Sequence, residues 1–312
     1  MPKPEVPMPL PPALGALRLP AIAAPMFLAS GPDLVVEVSG AGLMGSFPAL
    51  NCRSTAALDD WLAEIAGRLG PGVPYGVNLI VHRSNPRLEA DLARVVAHKV
   101  PVVITSLGAV PDIVGAVRGY GGVVLHDVIG LRHAEKALGA GVDGLIAVCA
   151  GAGGHAGTLS PFAFMAELRA MFAGTIALAG GITTGAQIAA AQLMGADLAY
   201  LGTRFLVTRE SLAPEAQKRM TARARSADII RTDAVSGVAG NFLRESLIAA
   251  GLDPEALPAH GALDLAAEAR AWATIWSAGQ GAATIRDIPA AAELCARLIA
   301  EHGAAIAALR AV

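Results

Sequence analysis

The sequence predicts an α/β chain folded as a (β/α)8 TIM barrel, with a small helical subdomain inserted after strand eight. Three observations carry that reading. Eight short apolar runs recur through the first two thirds of the chain, each opening on a turn or charged residue and closing on a small or polar one. The stretches between them space their apolar residues at i, i+3 and i+4, the period of a helix packed on one side. After the eighth run the alternation stops. Alternating strands and helices favour a parallel sheet, and a count of eight favours closure into a barrel. A doubly wound open sheet is the alternative architecture.

In chain order, Met1–Pro20 is proline-rich, lacks the continuous apolar core of a signal peptide and reads as an extended arm. The first two strands are Ala21–Met26 and Leu43–Phe47. Between them Gly40–Gly45 matches GxGxxG, but it follows a helix and precedes a strand, the reverse of the dinucleotide-binding order, so it reads as a helix end. Helix Ser54–Leu69 leads to strand Tyr75–Val81, and helix Pro86–His98 to strand Val100–Gly108. Gly122–Val128 is the fifth strand. Helix Leu131–Ala140 then leads to Asp143–Cys149, helix Phe162–Phe172 to Thr175–Gly181, and helix Gly185–Met194 to Leu198–Arg204. Most of the runs are continuously apolar and β-branched, as strands covered on both faces should be. Gly141, Gly174 and Gly195 stand where helices would stop through left-handed caps. From Glu210 to about Gly281 there are no convincing strands, only helical stretches broken by Ser236–Gly240, Gly251–Pro254 and Pro258–Gly261. Ala290–Arg310 is an amphipathic helix that can rejoin the barrel as its last. The expected division is an arm over 1–20, a barrel over 21–209 and 282–312, and a helical lid facing the substrate over 210–281.

Composition narrows the function classes. Hydrophobic residues make up 54% of the chain, but no apolar stretch reaches the roughly 18 to 20 residues of a membrane span. Cys52, Cys149 and Cys295 are far apart and odd in number, which argues against a disulfide framework or a CxxC zinc site and makes a reducing cytoplasm the default. A net charge of −2 offers no basic field for nucleic acid, and the seven histidines form no HxxxH or HExxH pair for a metal.

Chemistry in this barrel sits at the strand C-terminal ends. Strand seven ends Ala179-Gly180-Gly181-Ile182 and strand eight ends Gly202-Thr203-Arg204-Phe205. Glycines there let backbone N–H groups approach an anion, a following helix N-terminus adds a favourable dipole, and the Thr203 hydroxyl can donate once more. Two such loops around one phosphate suit a mononucleotide or sugar phosphate better than a dinucleotide. A third cluster, Gly151-Ala152-Gly153-Gly154-His155-Ala156-Gly157, follows strand six. Its glycines let the backbone pass close to a flat ligand, and an imidazole among them can take and return protons near neutrality. The cluster fits a loose GxGxxA, yet Thr158–Pro161 interrupts before any helix, which disfavours Rossmann-type NAD binding.

Ala24-Pro25-Met26, Gly76-Val77-Asn78, Gly153-Gly154-His155, Ala179-Gly180-Gly181 and Gly202-Thr203-Arg204-Phe205, in that order on the expected strands, resemble the nitronate monooxygenases, formerly called 2-nitropropane dioxygenases. The likeness continues into Ser277-Ala278-Gly279-Gln280-Gly281 and covers Pro20 to the C-terminus. It implies an FMN-binding barrel with a helical substrate domain. Ala24, Pro25 and Met26 would lie against the flavin ring and the Asn78 amide would hydrogen-bond its edge. Gly153, Gly154 and Ala179 would line the cofactor, Gly180, Gly181, Gly202 and Thr203 would hold its phosphate, and His155 would face the substrate. Two positions depart from relatives: a lysine or glutamine often stands where this chain has Asp127, and an acidic residue where it has Val148. A carboxylate near the flavin would oppose the charge of reduced FMN, so either Asp127 points away or the flavin environment differs.

The implied reaction takes an alkyl nitronate, or a nitroalkane, and O2 to a carbonyl compound and nitrite. A neutral nitroalkane must first lose its α-proton, and His155 is the candidate base. The superfamily also holds NADH:quinone reductases and a flavin-dependent enoyl reductase, so an NAD(P)H-dependent flavin reductase acting on a quinone or enoyl thioester is the alternative. A flavin-binding module without turnover, or a phosphosugar barrel, is a third reading. A homodimer is compatible with all of them.

Overall fold

The computed structural model describes residues 9–108, 110–235, 237–257, 272 and 274–311. The eight expected strands are β1 (Ala21–Ala23), β2 (Gly45–Pro48), β3 (Tyr75–Ile80), β4 (Val102–Ser106), β5 (Val123–Val128), β6 (Gly144–Val148), β8 (Thr175–Ala179) and β9 (Leu198–Leu201). They pair in parallel in the order β1-β9-β8-β6-β5-β4-β3-β2. The ring closes where Ala23 N donates to Met44 O at 2.8 Å and Met44 N to Ala21 O at 3.0 Å, so the sheet is a barrel and not an open one. Several strands end sooner than expected. Ala24, Pro25 and Met26 follow β1 as a loop, and Thr203 opens a one-turn helix.

Outside the barrel lie α2 (Pro32–Gly40), α3 (Thr55–Leu69), α4 (Leu88–Ala97), α5 (Pro111–Arg118), α6 (Leu131–Gly139), α7 (Pro161–Met171), α8 (Gly185–Leu193) and, at the chain end, α12 (Ala291–Arg310). Local chemistry sets their starts. Proline opens α2, α5 and α7, where its missing N–H would be unpaired in any case. Ser54 Oγ accepts from Ala57 N ahead of α3, and Thr184 forms a reciprocal box with Gln187 ahead of α8. Gly141 (φ +86°) and Gly195 (φ +96°) end their helices in the left-handed region as expected. Gly174 does not. The Phe172 ring lies over it, so a Cβ there would require that ring to move.

Inside the barrel, Ile22, Met44, Val102, Ile104, Leu125, Ile146 and Leu198 form a fully buried cluster. Leu14 joins it from the short helix α1 (Pro12–Gly15). The N-terminal arm is therefore not simply extended, because an apolar side chain one turn inside it finds the barrel interior. Strand residues of the opposite parity, such as Val77, Val103 and Val124, pack outward against Leu62, Val95 and Val117 of the helices. α12 packs on α8 and α2 and completes the helical ring, with Glu301 Oε2 accepting from Gly185 N at 2.7 Å.

The segment after β9 carries α9 (Thr203–Leu206), α10 (Glu215–Arg223) and α11 (Arg244–Ala249), but also β10 (Ile229–Thr232) and β11 (Gly240–Leu243). These two strands pair antiparallel with each other, and β11 pairs in turn with β7 (Gly154–His155) in the loop after β6. The expectation of helices alone between 210 and 281 is thus corrected. Strands this short show little pattern in isolation and are stabilised by their partners across the sheet. The expected break at Pro258–Gly261 lies outside the described residues. Among the described residues no helix is long and apolar enough to cross a membrane.

Candidate functional site

Side chains alternate along a strand, so the residue two beyond each interior core residue also faces the barrel axis, one layer nearer the C-terminal mouth. Ile22, Ile104, Leu125, Ile146, Ala177 and Leu198 are interior, and a Cβ on Gly76 would point at Met44 Cε. The next layer is therefore Ala24, Ser106, Asp127, Val148, Ala179, Tyr200 and Asn78. Asn78 Nδ2 donates to Ile104 O at 3.2 Å and to Ser106 Oγ at 2.7 Å, and Ser106 Oγ donates to Asp127 Oδ2 at 2.6 Å. The amide nitrogen of Asn78 is thus engaged by the strands, and its Oδ1 is the end left to meet a ligand. Asp127 points inward. Burial pushes its carboxyl up to about 6, against the opposing pull of the Ser106 hydroxyl and of His155. Tyr200 faces the same carboxylate, and burial raises its phenol well above the ordinary value. His126, of opposite parity, bonds Thr105 Oγ1 at 2.7 Å and is pushed down to about 4 by burial, which makes it a neutral packing residue.

The loop after β1 is held from two sides. Ser30 Oγ accepts from Met26 N at 3.0 Å, while Asn51 Nδ2 donates to Met26 O at 3.0 Å and Ser30 O at 2.8 Å and its Oδ1 accepts from Leu28 N at 2.9 Å. Three bonds from one side chain fix a loop whose Leu28 adopts φ +59°. Asn51→Ala should lower stability by about 1 to 3 kcal/mol, at roughly 1 kcal/mol per lost bond. Thermal unfolding would read this, and an unchanged melting temperature would mean the loop is held by other contacts.

The two expected anion loops meet the post-β1 loop. Gly180 (φ +143°) and Gly181 (φ +73°) take conformations L-residues rarely adopt, and among the described residues their N–H groups have no acceptor. A Cβ on Gly181 would enter space bounded by Gly281 N at 4.0 Å, and one on Gly202 would face Ala24 Cβ at 3.8 Å and Met26 Sδ at 4.0 Å. Unused backbone donors beside a surface of small side chains fit a phosphate attached to a flat ring. Thr203 Oγ1 accepts from Gly279 N at 2.8 Å, which leaves its own hydrogen free to donate.

His155 stands on β7, opposite Gly240 of β11. A strap over 277–281 ties this strand down: Gly154 N donates to Ser277 Oγ at 2.6 Å, Ser277 Oγ to Asn241 O at 2.7 Å, and Gln280 N to Gly151 O at 2.9 Å. The buried Asn241 donates from Nδ2 to Ala152 O at 2.6 Å. Gly153 packs against the strap, since a Cβ there would lie 2.9 Å from Gly279 N and 3.3 Å from Thr203 Oγ1. Its glycine requirement is explained by that contact without a ligand. The His155 ring meets Trp272 edge-on at 5.5 Å, and Trp272 also contacts Phe27 and Phe242. Among the described residues the buried Trp272 indole N–H has no acceptor. Sequence reasoning passed over Ser30, Asn51, Ser106, Tyr200, Asn241 and Trp272. Only the alternation along β4 and β9 could have pointed to two of them, Ser106 and Tyr200.

Comparison with known proteins adds an independent line. A family model described as nitronate monooxygenase matches residues 83–301. The chain is 30% identical to a nitronate monooxygenase of Paraburkholderia phytofirmans over 96% of both chains, and 29% identical to one of Pseudomonas aeruginosa over 91% of this chain and 96% of that one. It is also 28% identical to an indene-carboxyl-CoA dehydrogenase of Mycobacterium tuberculosis, over 73% of this chain and 64% of the relative. The structure is similar to that of nitroalkane oxidase from Streptomyces ansochromogenes, with a TM-score of 0.83 and 26% identity over 94% of this chain and 98% of that one. FabK from Thermotoga maritima shares the fold, with a TM-score of 0.79 and 24% identity over 96% of this chain and 97% of that one.

Proposed function

Because the chain belongs to the nitronate monooxygenase family, we propose that it is an FMN-dependent oxidoreductase that oxidises alkyl nitronates, and nitroalkanes after deprotonation, with O2 to carbonyl compounds and nitrite. The observation that carries this reading is His155, held by β11 and the strap at the rim of a mouth that also presents unused backbone donors for a phosphate. Bound flavin would supply the electron acceptor, and the protein supplies position and electrostatics. Gly180, Gly181, Gly202 and Thr203 hold the phosphate, Ala24, Pro25, Met26 and Ala179 give the ring a close surface, and Asn78 Oδ1 accepts from the ring edge. His155 takes the α-proton of a neutral nitroalkane. The Trp272 N–H, without an acceptor among the described residues, is available to a nitro oxygen, and the aromatic group around it excludes water from the carbon chain. On this reading the segment 210–281 is the cover of the site.

Anaerobic mixing tests the proposal. Bleaching of the bound flavin by propionate 3-nitronate supports it, whereas bleaching by NADH or NADPH alone would replace it with the flavin reductase reading. That second reading draws on the similarity to the CoA dehydrogenase of Mycobacterium tuberculosis. Recovery of no flavin, or of FAD, would overturn the cofactor assignment.

Thr203→Val should weaken FMN retention by about 1 to 3 kcal/mol, the value of a hydrogen bond to a charged acceptor, and it also orphans Gly279 N–H. Thr203→Ser keeps the hydroxyl and should restore binding. Equal FMN affinity in all three proteins, measured by fluorescence on release, would mean the backbone donors act alone.

A further inference from the structure

Asp127 is the carboxylate of the mouth layer, and its surroundings differ from those of the other sheltered aspartates. Asp91 pairs with Arg87, Asp143 with Arg118 and Asp197 with Arg169. Among the described residues no lysine or arginine forms an ion pair with Asp127, and the titratable groups facing it are His155 from β7 and Tyr200 from β9. Among the described residues its side-chain donor is Ser106. Ser106 Oγ accepts from Asn78 Nδ2 and donates to Asp127 Oδ2, an arrangement that favours the charged carboxylate. Among the described residues no other side chain is hydrogen-bonded to this carboxylate, which its own backbone N–H also faces. A structural ion pair does not account for this carboxylate.

We propose that Asp127 is a proton-accepting group of the flavin site, taking a proton from solvent when reduction of the bound FMN brings negative charge into the mouth. Two electrons from the donor and one proton from solvent pass to the flavin, leaving it anionic. A second proton passes from solvent to the Asp127 carboxylate, and nothing else is oxidised or reduced. The physical cause is that two like charges in one poorly solvated site cannot both persist, so the new anion raises the proton affinity of the old one. Burial has already moved Asp127 to about 6, within reach of neutrality. The inference rests on FMN occupying the mouth, as proposed above, but not on the substrate that reduces it.

The test is a spectroelectrochemical titration of the FMN-loaded protein with dithionite as donor. For a two-electron couple each coupled proton moves the midpoint potential by about 30 mV per pH unit, so a slope near 59 mV between about pH 7 and 8 is expected for the parent. Asp127→Asn should fall to about 30 mV per pH unit. His155→Asn should keep the two-proton slope. Ser106→Ala removes a donor that favours the charged carboxylate, and should extend the two-proton region to higher pH. A one-proton slope in the parent, or a two-proton slope surviving in Asp127→Asn, overturns the proposal. The readout involves no nitronate, so failure of the proposed substrate would leave these slopes unchanged.

Discussion

Replacing His155 with asparagine is expected to slow oxidation of a neutral nitroalkane by about 10²- to 10⁴-fold, the range a positioned base contributes. A preformed nitronate should be affected far less, because its α-proton is already gone. The ratio of the two losses is the measurement, taken as kcat/KM for the same carbon skeleton supplied in each form. Equal losses would reduce His155 to a binding or structural role. Retention of both activities would mean that the base is another group. Asparagine suits the test because it preserves a polar side chain on β7, whose pairing with β11 and the strap is made by backbone and by Ser277.

Gly279→Ala should have the largest effect on the integrity of the site. A Cβ at this position would lie 2.5 Å from Gly151 O, 2.8 Å from Gly153 N and 3.1 Å from Ala152 C. All three are backbone atoms, so no rotamer change can relieve the contact and the strap must lift. Lifting breaks the bonds from Gly279 N to Thr203 Oγ1 and from Gln280 N to Gly151 O. A loss of about 1 to 3 kcal/mol is expected, as for overpacking of a close contact. Differential scanning of the protein with and without FMN would show a lower melting temperature in both forms and a smaller gain on adding FMN. The same gain as in the parent would show that the strap does not help to hold the cofactor.

The barrel was legible because its strands are buried on both faces and read as continuous apolar runs, which is why all eight were placed. Their ends were less legible. Val100 and Pro101 extend the apolar run ahead of β4, and Ala24 to Met26 extend the one in β1 beyond its end at Ala23, so composition does not mark where either strand stops. The glycine clusters were readable for a different reason, since a left-handed residue such as Gly181 leaves a mark in composition. What could not be read were the polar residues that brace those clusters. Asn51 and Asn241 act through bonds to loops 25 and 89 residues away in sequence, and no local pattern marks such a partner. Gly154 and His155 form a strand only because β11 lies beside them. Asp127 was visible as a departure from relatives, but its inward direction needed the register of β4 and β5.

The pairing of β7 has a consequence for the order in which the molecule matures. Gly154 is bonded to Ser277, 123 residues further along the chain, and the partner strand of His155 begins at Gly240. During synthesis the eight barrel strands leave the ribosome with the histidine segment still unpaired. The strand and strap that hold the histidine segment are made only after all eight barrel strands. His155 therefore cannot be seated until the chain has been made as far as Ser277. A chain interrupted before residue 277 would retain all eight barrel strands in sequence but lack the strap that seats its histidine.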